Sequence, residues 1–205
     1  RYVKQCIDSK WVSSAGEYVK LFEDKIAKYT GAKYAVACIN GTSALQLSLK
    51  LAGVLPGNEV IIPSLSFIAP VNAIHYNGAK PLFMDSDNFY NIDIEKTIKF
   101  IKTETRVSYI TKNSKNKKVT INKKSGNSII AIIVVHTFGN AVQLDELITV
   151  CKDRNIALIE DAAESIGTFY KFGKLKGKHT GTIGKLGCLS FNGNKIITCG
   201  SGGMI

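Results

Sequence analysis

Long apolar runs, prolines and paired cysteines are scarce in this 205-residue sequence, and each scarcity excludes a class of protein. The longest apolar stretch, residues 129–135, is far shorter than the roughly 20 apolar residues that a transmembrane helix needs. The four prolines form no linker that would divide the chain. The first residues, RYVKQCIDSKW, contain no apolar segment of the signal-peptide type. With 45% hydrophobic and 21% charged residues, we expect a globular protein with no membrane partner.

The cysteines lie singly along the chain, at Cys6, Cys38, Cys151, Cys188 and Cys199. No two of them have CxxC spacing, and the chain is larger than the small domains that disulfides hold together. We therefore expect reduced thiols and a cytoplasmic protein.

A net charge of +11 raises the hypothesis of a basic nucleic-acid-binding domain. Most of this charge lies in residues 102–124, which carry eight basic residues against one acid, Glu104. The basic residues are Lys102, Arg106, Lys112, Lys115, Lys117, Lys118, Lys123 and Lys124. The segment lacks the interleaved aromatic residues that stack on bases, so we expect an exposed hairpin with a disordered tip and no nucleic-acid partner.

The remaining sequence alternates helical and apolar strand patterns. Residues 17–29 predict an amphipathic helix that ends at Gly31. Beyond it, strands are predicted at 34–39, 59–63, 81–85, 129–136 and 156–161, and helices at 42–52, 68–78, 93–101 and 144–154. Continuous apolar strands separated by helices indicate a parallel sheet covered on both faces, and ligands bind beyond the carboxyl ends of such strands.

Two strand ends carry candidate site residues. Asn40-Gly41-Thr42 opens a helix after the first strand, a pattern that suits either a phosphate site or a simple helix cap by Asn40 or Thr42. Asp161 follows the apolar residues 156–159, where its carboxylate needs a cationic or hydrogen-bonding partner or caps the next turn. Neither GxGxxG nor a P-loop occurs, which disfavours a nicotinamide-dependent Rossmann enzyme.

The third candidate is Lys195, which lies between Asn192-Gly193-Asn194 and a β-branched run that we interpret as the last strand. A lysine shielded from water can form a Schiff base with an aldehyde, although a single lysine before a strand is usually exposed. Together, a phosphate site, a carboxylate and a reactive lysine suit pyridoxal phosphate (PLP) chemistry.

The motifs NGTSAL, PSLSFIAPVNAI, GAKPLFMD, VVHTFGN and LSFNGNKIITCGSGGMI carry a resemblance to a known family. Across residues 11–205, the sequence resembles the DegT/StrS nucleotide-sugar aminotransferases, which share the aspartate aminotransferase-like fold type I. The SFNGNK spelling and the basic insertion are most similar to the LegC-like branch, which aminates 4-keto sugar nucleotides for bacillosamine- or legionaminic-acid-type products. The resemblance implies a three-layer α/β/α domain with a mostly parallel seven-stranded sheet.

The resemblance also implies a role for each matching residue. Lys195 matches the lysine that binds PLP covalently, and Asp161 matches the aspartate that pairs with the pyridine nitrogen. The phosphate-binding residues and the stacking aromatic are matched by Gly41, Thr42, the backbone at Ser43, Ser190 and Phe67. Glu164 stands near the ring hydroxyl of the cofactor, where many relatives carry Gln or His.

The resemblance further implies domain organisation and partners. We expect an N-terminal helical arm at residues 1–30 and a PLP-binding large domain at 31–205 with its basic insertion at 102–124. A C-terminal small domain would be absent from this chain, which could then be a non-catalytic fragment. The expected reaction moves an amino group, from an amino-acid donor such as glutamate, to a 4-keto-6-deoxy sugar linked to UDP or GDP, and the expected assembly is a homodimer. A related dehydratase carries histidine in place of the lysine, so Lys195 disfavours that alternative.

Overall fold

A computed structural model describes residues 1–12, 16–112 and 115–205 of the chain. Its α-helices are α1 (Tyr2–Asp8), α2 (Glu17–Thr30), α3 (Gly41–Ala52), α4 (Ile68–Tyr76), α5 (Ile94–Thr103) and α6 (Asp145–Arg154). Its strands are β1 (Ala37–Cys38), β2 (Glu59–Pro63), β3 (Lys80–Met84), β4 (Thr105–Lys112), β5 (Lys115–Asn122), β6 (Ser128–Val135), β7 (Ala157–Asp161), β8 (Leu186–Ser190) and β9 (Gly203–Met204).

The strands form a mixed sheet whose main path has the order β1-β9-β8-β7-β6-β2-β3. Neighbours from β8 to β3 are parallel, whereas β9 runs antiparallel to both β1 and β8. The prediction of a mostly parallel seven-stranded sheet is therefore confirmed. The carboxyl ends of the parallel strands all lie at one edge, where the loops that follow them meet.

Helices cover both faces of this sheet, because successive residues of each buried strand point to opposite sides. On β2, Ile61 packs in the same core cluster as residues of α5 and α6, such as Ile101 and Leu147. Its neighbour Val60 packs with residues of α3 and α4 on the other side. Three layers follow, as predicted, with strands that are buried on both faces.

Helix α2 packs against residues of β8 and β9. Phe22 of α2 meets Phe191 edge-to-face at 4.8 Å between ring centroids, and Ile26 joins the same cluster. The helix ends at Gly31, whose left-handed backbone (φ 76°) allows its N–H to bond to the carbonyl of Ala27. The shorter helix α1 has no buried residue.

The basic segment forms the predicted hairpin. Strands β4 and β5 pair antiparallel from Thr105–Asn122 to Lys112–Lys115, and the predicted disordered tip lies outside the described residues. Its base is not a free excursion, since Val119 and Ile121 are buried and β5 also pairs with β6. The lysines at positions 102, 117, 123 and 124 are exposed, as expected for a charged run, whereas Lys118 is half-buried.

Two strand predictions at the ends of the fold are wrong in extent or type. The first strand covers only Ala37–Cys38 of the predicted residues 34–39. The β-branched residues after Lys195 form no strand, and Ile196 and Ile197 are exposed. Instead, Phe191 bonds to Gly202 and to Cys199 through its backbone, which closes a loop that returns the chain as β9. Lys195 therefore lies in a turn and not before a strand.

Candidate active site

A cavity of about 550 Å³ opens at the carboxyl ends of the parallel strands and contains most of the predicted site residues. Gly41 and Thr42 line it from the first turn of α3, and Phe67 lines it from the loop after β2. Asp161, Glu164, Ser190 and Lys195 line it from the chain that follows β7 and β8. Residues far apart in sequence are thus brought together because parallel strands end at the same edge.

The first wall of the cavity is the N-terminal turn of α3. The side chain of Asn40 caps this helix by accepting a hydrogen bond from the backbone N–H of Ser43 at 2.8 Å. Within the described residues, the N–H groups of Gly41 and Thr42 donate to no protein acceptor. They therefore remain available at the positive end of the helix dipole, an arrangement that attracts an anion.

Gly41 and Ser190 approach each other closely across this wall. A Cβ added to Gly41 would lie 2.9 Å from the Cβ of Ser190, so only glycine fits here without a shift of the backbone. The contact places the hydroxyl of Ser190 beside the free N–H groups of the turn. Both readings of the Asn40-Gly41-Thr42 motif, helix cap and anion site, are compatible with this geometry.

Among the predicted site residues, Ser43 alone does not line the cavity. Its backbone N–H, predicted to bind phosphate, is donated to Asn40. The first two N–H groups of the helix are therefore better placed for an anion than the third.

Asp161 ends β7 and is 6% exposed. Burial raises the pKa of its carboxyl to about 6, although the backbone N–H of Ala163, at 3.1 Å from Oδ1, and the nearby His136 and Lys195 oppose the rise. The bond to Ala163 is the turn cap that the sequence allowed as an alternative. Oδ2 accepts no hydrogen bond within the described part of the chain, so it can receive a donor from a ligand.

Lys195 reaches into the cavity with a side chain that is only 14% exposed. Its Nζ lies 3.1 Å from Oε1 of Glu164 and 6.0 Å from the centre of the Phe67 ring. Oε2 of Glu164 accepts the backbone N–H of Phe138 at 3.2 Å. Glu164 thus has the paired environment that a carboxylate at this position requires.

A buried pair that the sequence analysis missed lies beneath the site. His136 follows β6, and its Nε2 lies 2.9 Å from Oε2 of Glu160 in β7, with both side chains fully buried. Burial opposes ionisation of Glu160, but His136 and the backbone N–H groups of Gly184 and Gly181 outweigh it and lower the pKa. Nδ1 of His136 accepts the N–H of Val142 at 3.1 Å, so Nε2 carries the proton that Glu160 accepts. His136 directly follows the buried strand β6, and this position in the sequence could have marked it as a candidate site residue.

The mouth of the cavity contains two aromatic residues in left-handed backbone conformations, Tyr90 (φ 65°) and Phe138 (φ 52°). Their rings meet edge-to-face at 6.2 Å, and the hydroxyl of Thr137 bonds to the carbonyl of Tyr90 at 3.1 Å. Such backbone strain is common at functional sites. No sequence pattern marked either residue, because a positive φ at a non-glycine residue depends on the surrounding structure.

Comparison with known proteins identifies the family. The DegT/DnrJ/EryC1/StrS aminotransferase family matches residues 1–205, the whole chain. The chain belongs to this family. Membership confirms the resemblance that the motifs carry.

Several members and structures of the DegT family are similar to this chain. GDP-perosamine synthase of Escherichia coli O157:H7 is 40% identical over 204 residues, which are 100% of this chain and 48% of that protein. A DegT family aminotransferase from Brucella abortus superimposes with a TM-score of 0.83 at 29% identity, over 98% of this chain and 48% of the other. An E. coli GDP-4-keto-6-deoxy-D-mannose-3-dehydratase with bound hydrated PLP gives a TM-score of 0.75 at 30% identity, over 98% of this chain and 46% of that one. The chain thus spans about half the length of the relatives it matches.

Two features are absent from residues 1–12, 16–112 and 115–205, which the structure describes. No helix there is long and apolar enough to cross a membrane. No group of three or more potential metal-ligating side chains occurs there either.

Proposed function

We propose that this chain forms the cofactor-binding large domain of a PLP-dependent aminotransferase that acts on a 4-keto nucleotide-linked sugar. The convergence of Lys195, Asp161 and the N-terminal turn of α3 on one cavity carries the proposal. Family membership supports it, as do a GDP-perosamine synthase and a PLP-bound dehydratase among the similar proteins. When bound, PLP supplies an aldehyde that condenses with amines and a pyridinium ring that withdraws electrons.

The described residues fit the phosphate of PLP. The N–H groups of Gly41 and Thr42 are free at the start of α3, and the hydroxyls of Thr42 and Ser190 face the same cavity. Fixed N–H donors at a helix N-terminus stabilise a phosphate without rearrangement of the protein.

The residues also fit the ring and the aldehyde. The carboxylate of Asp161 has a free oxygen, and a protonated ring nitrogen beside it would favour its charged form. The amine of Lys195 is shielded and points into the cavity, as an attacking amine must. The exposed ring of Phe67 borders the same space and can stack on a planar cofactor.

In the proposed reaction, glutamate donates the amino group and the keto sugar receives it in a second half-reaction. Lys195, once its amine is free, takes a proton from the bound substrate and returns it to a neighbouring atom. Glu164 lies at hydrogen-bond distance from this amine and holds it inside the cavity. Asp161 would hold a proton on the ring nitrogen of PLP.

The related dehydratase function is disfavoured by the lysine. The resemblance implies histidine at this position in the dehydratases of the family, whereas this chain carries Lys195. We therefore propose amino transfer. A non-catalytic role remains the alternative for a chain of this length by itself.

The proposed organisation divides the chain at residue 30, with a helical arm before it and the PLP-binding domain from 31 to 205. A C-terminal small domain, carried by the longer protein, would complete the substrate site. We also propose a homodimer in which the partner subunit contributes to that site, in line with the resemblance.

The two half-reactions provide the test. Full-length protein that contains this chain and is loaded with PLP should change its visible absorption on addition of glutamate and release one equivalent of 2-oxoglutarate. A GDP- or UDP-linked 4-keto-6-deoxy sugar should then restore the original spectrum and yield the amino sugar. The Lys195→Ala variant serves as the control and should show neither change. An unchanged spectrum with every amino donor, or loss of water from the sugar without amination, would contradict the proposal.

A further inference from the structure

A second cavity, of about 400 Å³, lies beside the amino ends of β6 and β7, away from the candidate active site. Its walls come from the basic hairpin, the end of α6 and the loop before β8. Four lysines line it, at positions 117, 118, 152 and 185, and no aspartate or glutamate does. We call it the lysine cavity.

Three lysines of this cavity, at positions 117, 152 and 185, are exposed, Lys118 is half-buried, and none of the four makes an ion pair within the described residues. Elsewhere, Lys4, Lys20 and Lys96 each pair with an aspartate. Four ammonium groups around one space repel one another, and an anion between them would relieve that repulsion. Lys152 also lies in the last turn of α6, where its positive charge interacts favourably with the negative end of the helix dipole. The other three lysines have no such role.

Hydrogen bonds fix the backbone that carries these lysines. The side chain of Asn155 donates to the carbonyl of Lys118 at 2.7 Å, and the N–H of Lys185 donates to the carbonyl of Leu158 at 2.8 Å. The hydroxyl of Thr120 bonds to the carbonyl of Arg154 at 2.6 Å and so ties β5 to the end of α6. The hairpin, the helix and the loop are thus held in one arrangement before any ligand arrives, which lowers the entropic cost of binding.

The floor of the lysine cavity is apolar. Ile130, Ile148 and Ile183 line it and are only partly buried. No aromatic side chain lines it, which disfavours a nucleic-acid strand, because such sites stack bases on aromatic rings. The volume lies in the range of small-molecule sites, roughly 300 to 1,000 Å³.

We propose that the lysine cavity binds a small molecule with a diphosphate group, with the phosphates among the lysine ammonium groups and the uncharged part over the isoleucines. Lysine binds phosphate as a point charge, and its flexible stem lets several ammonium groups approach one anion. Lys117 and Lys118 of the basic run, which the proposed aminotransferase chemistry leaves unexplained, thereby acquire a function. The proposal is independent of amino transfer and goes beyond it.

Calorimetric titration of the purified protein with inorganic pyrophosphate and, separately, with UDP and GDP tests the proposal. Each should bind, and the affinity should fall as salt is raised. A Lys118→Gln/Lys185→Gln variant should bind about tenfold more weakly or worse, since two ammonium groups are lost while their stems remain. The matched control is Lys25→Gln/Lys28→Gln on α2, which removes the same charge from exposed positions on another face and should bind like the wild type.

A Ser190→Ala variant should keep the affinity, which separates this cavity from the candidate active site. Pyrophosphate should also slow hydrogen exchange in residues 115–122 and 183–186 of the wild type, a readout that needs no variant. Tighter binding of UDP or GDP than of pyrophosphate would identify a nucleoside as the uncharged part, and equal binding would identify the diphosphate alone as the recognised group. The proposal is overturned if neither class binds, if the two double variants bind alike, or if protection appears only around the active-site cavity.

Discussion

Replacement of Asp161 by asparagine should stabilise the cofactor-free chain and, at the same time, remove the proposed activity. Both effects follow from the loss of one buried negative charge, on a carboxylate that forms no ion pair within the described residues. Asparagine keeps Oδ1 as the acceptor for the N–H of Ala163, so the turn after β7 is preserved. What changes is the charge.

The size of the stabilisation follows from the pKa. Burial raises the pKa of Asp161 from 3.8 to about 6, and each pKa unit corresponds to about 1.4 kcal/mol. The charged carboxylate therefore costs the folded chain about 3 kcal/mol at neutral pH, and the side chain is too buried for solvent to screen this cost. Because the pKa is raised on folding, the cost is absent below pH 3.8, grows as the pH rises, and is complete above about pH 6.

Denaturant unfolding of the wild type and of Asp161→Asn, both without cofactor, measures this difference. The variant should be up to about 3 kcal/mol more stable near pH 8, and the difference should nearly vanish near pH 4. Asp153→Asn, at an exposed position on α6, is the control and should change stability by no more than about 0.5 kcal/mol at either pH.

The same variant in the PLP-loaded full-length protein should lose most of its amino transfer, because a neutral amide cannot keep the ring nitrogen protonated. A variant that is less stable than the wild type near pH 8, or a difference that does not shrink on acidification, would refute the electrostatic reasoning. Comparable turnover in the two proteins would refute the role assigned to Asp161.

Three further predictions concern the scaffold. Glu160→Gln should destabilise the chain by roughly 3 kcal/mol near neutral pH, since it breaks a fully buried pair with His136, whereas Glu146→Gln on the surface of α6 should cost little in the same unfolding experiment. This contribution of Glu160, whose pKa is lowered on folding, should disappear as the pH falls through that pKa. Gly187→Ala should cost about 3 kcal/mol or more, because the added Cβ would lie 1.8 Å from the carbonyl oxygen of Gly181, while Gly193→Ala, with its nearest atom at 3.8 Å, should be tolerated. Trypsin should first cleave the folded chain between residues 102 and 124, as mass spectrometry of the early fragments would show, and a first cut elsewhere would contradict the exposure of these lysines.

The sequence predicted the central sheet well, because its strands are short, apolar on both faces and bounded by clear turns. The strand at 59–63 was predicted with the bounds that the structure shows. The structure at the end of the chain was predicted less well. Ile196, Ile197 and Thr198 have the β-branched side chains of a strand, but their backbone is diverted by the bonds of Phe191 to Cys199 and Gly202. Local propensity cannot foresee such tertiary bonds.

The site was predictable where it depended on strand ends, and not where it depended on contacts between loops. Asp161 and the turn at Gly41 were predicted from their positions after apolar strands, and both line the cavity. The pairing of Lys195 with Glu164, and of His136 with Glu160, joins residues more than 20 positions apart and required coordinates. For Ser43, the structure shows that the backbone N–H group, which the motif offered to a ligand, donates to the capping side chain of Asn40.

Covalent trapping of the cofactor tests the central claim most directly. Full-length protein purified with PLP should absorb in the visible, and borohydride should then fix PLP onto one peptide, the one that contains Lys195. A Lys195→Ala variant should bind PLP without this covalent mark and should lose turnover, because no other amine would stand at that point of the cavity. Labelling of another lysine, or a spectrum that the variant leaves unchanged, would contradict the assignment.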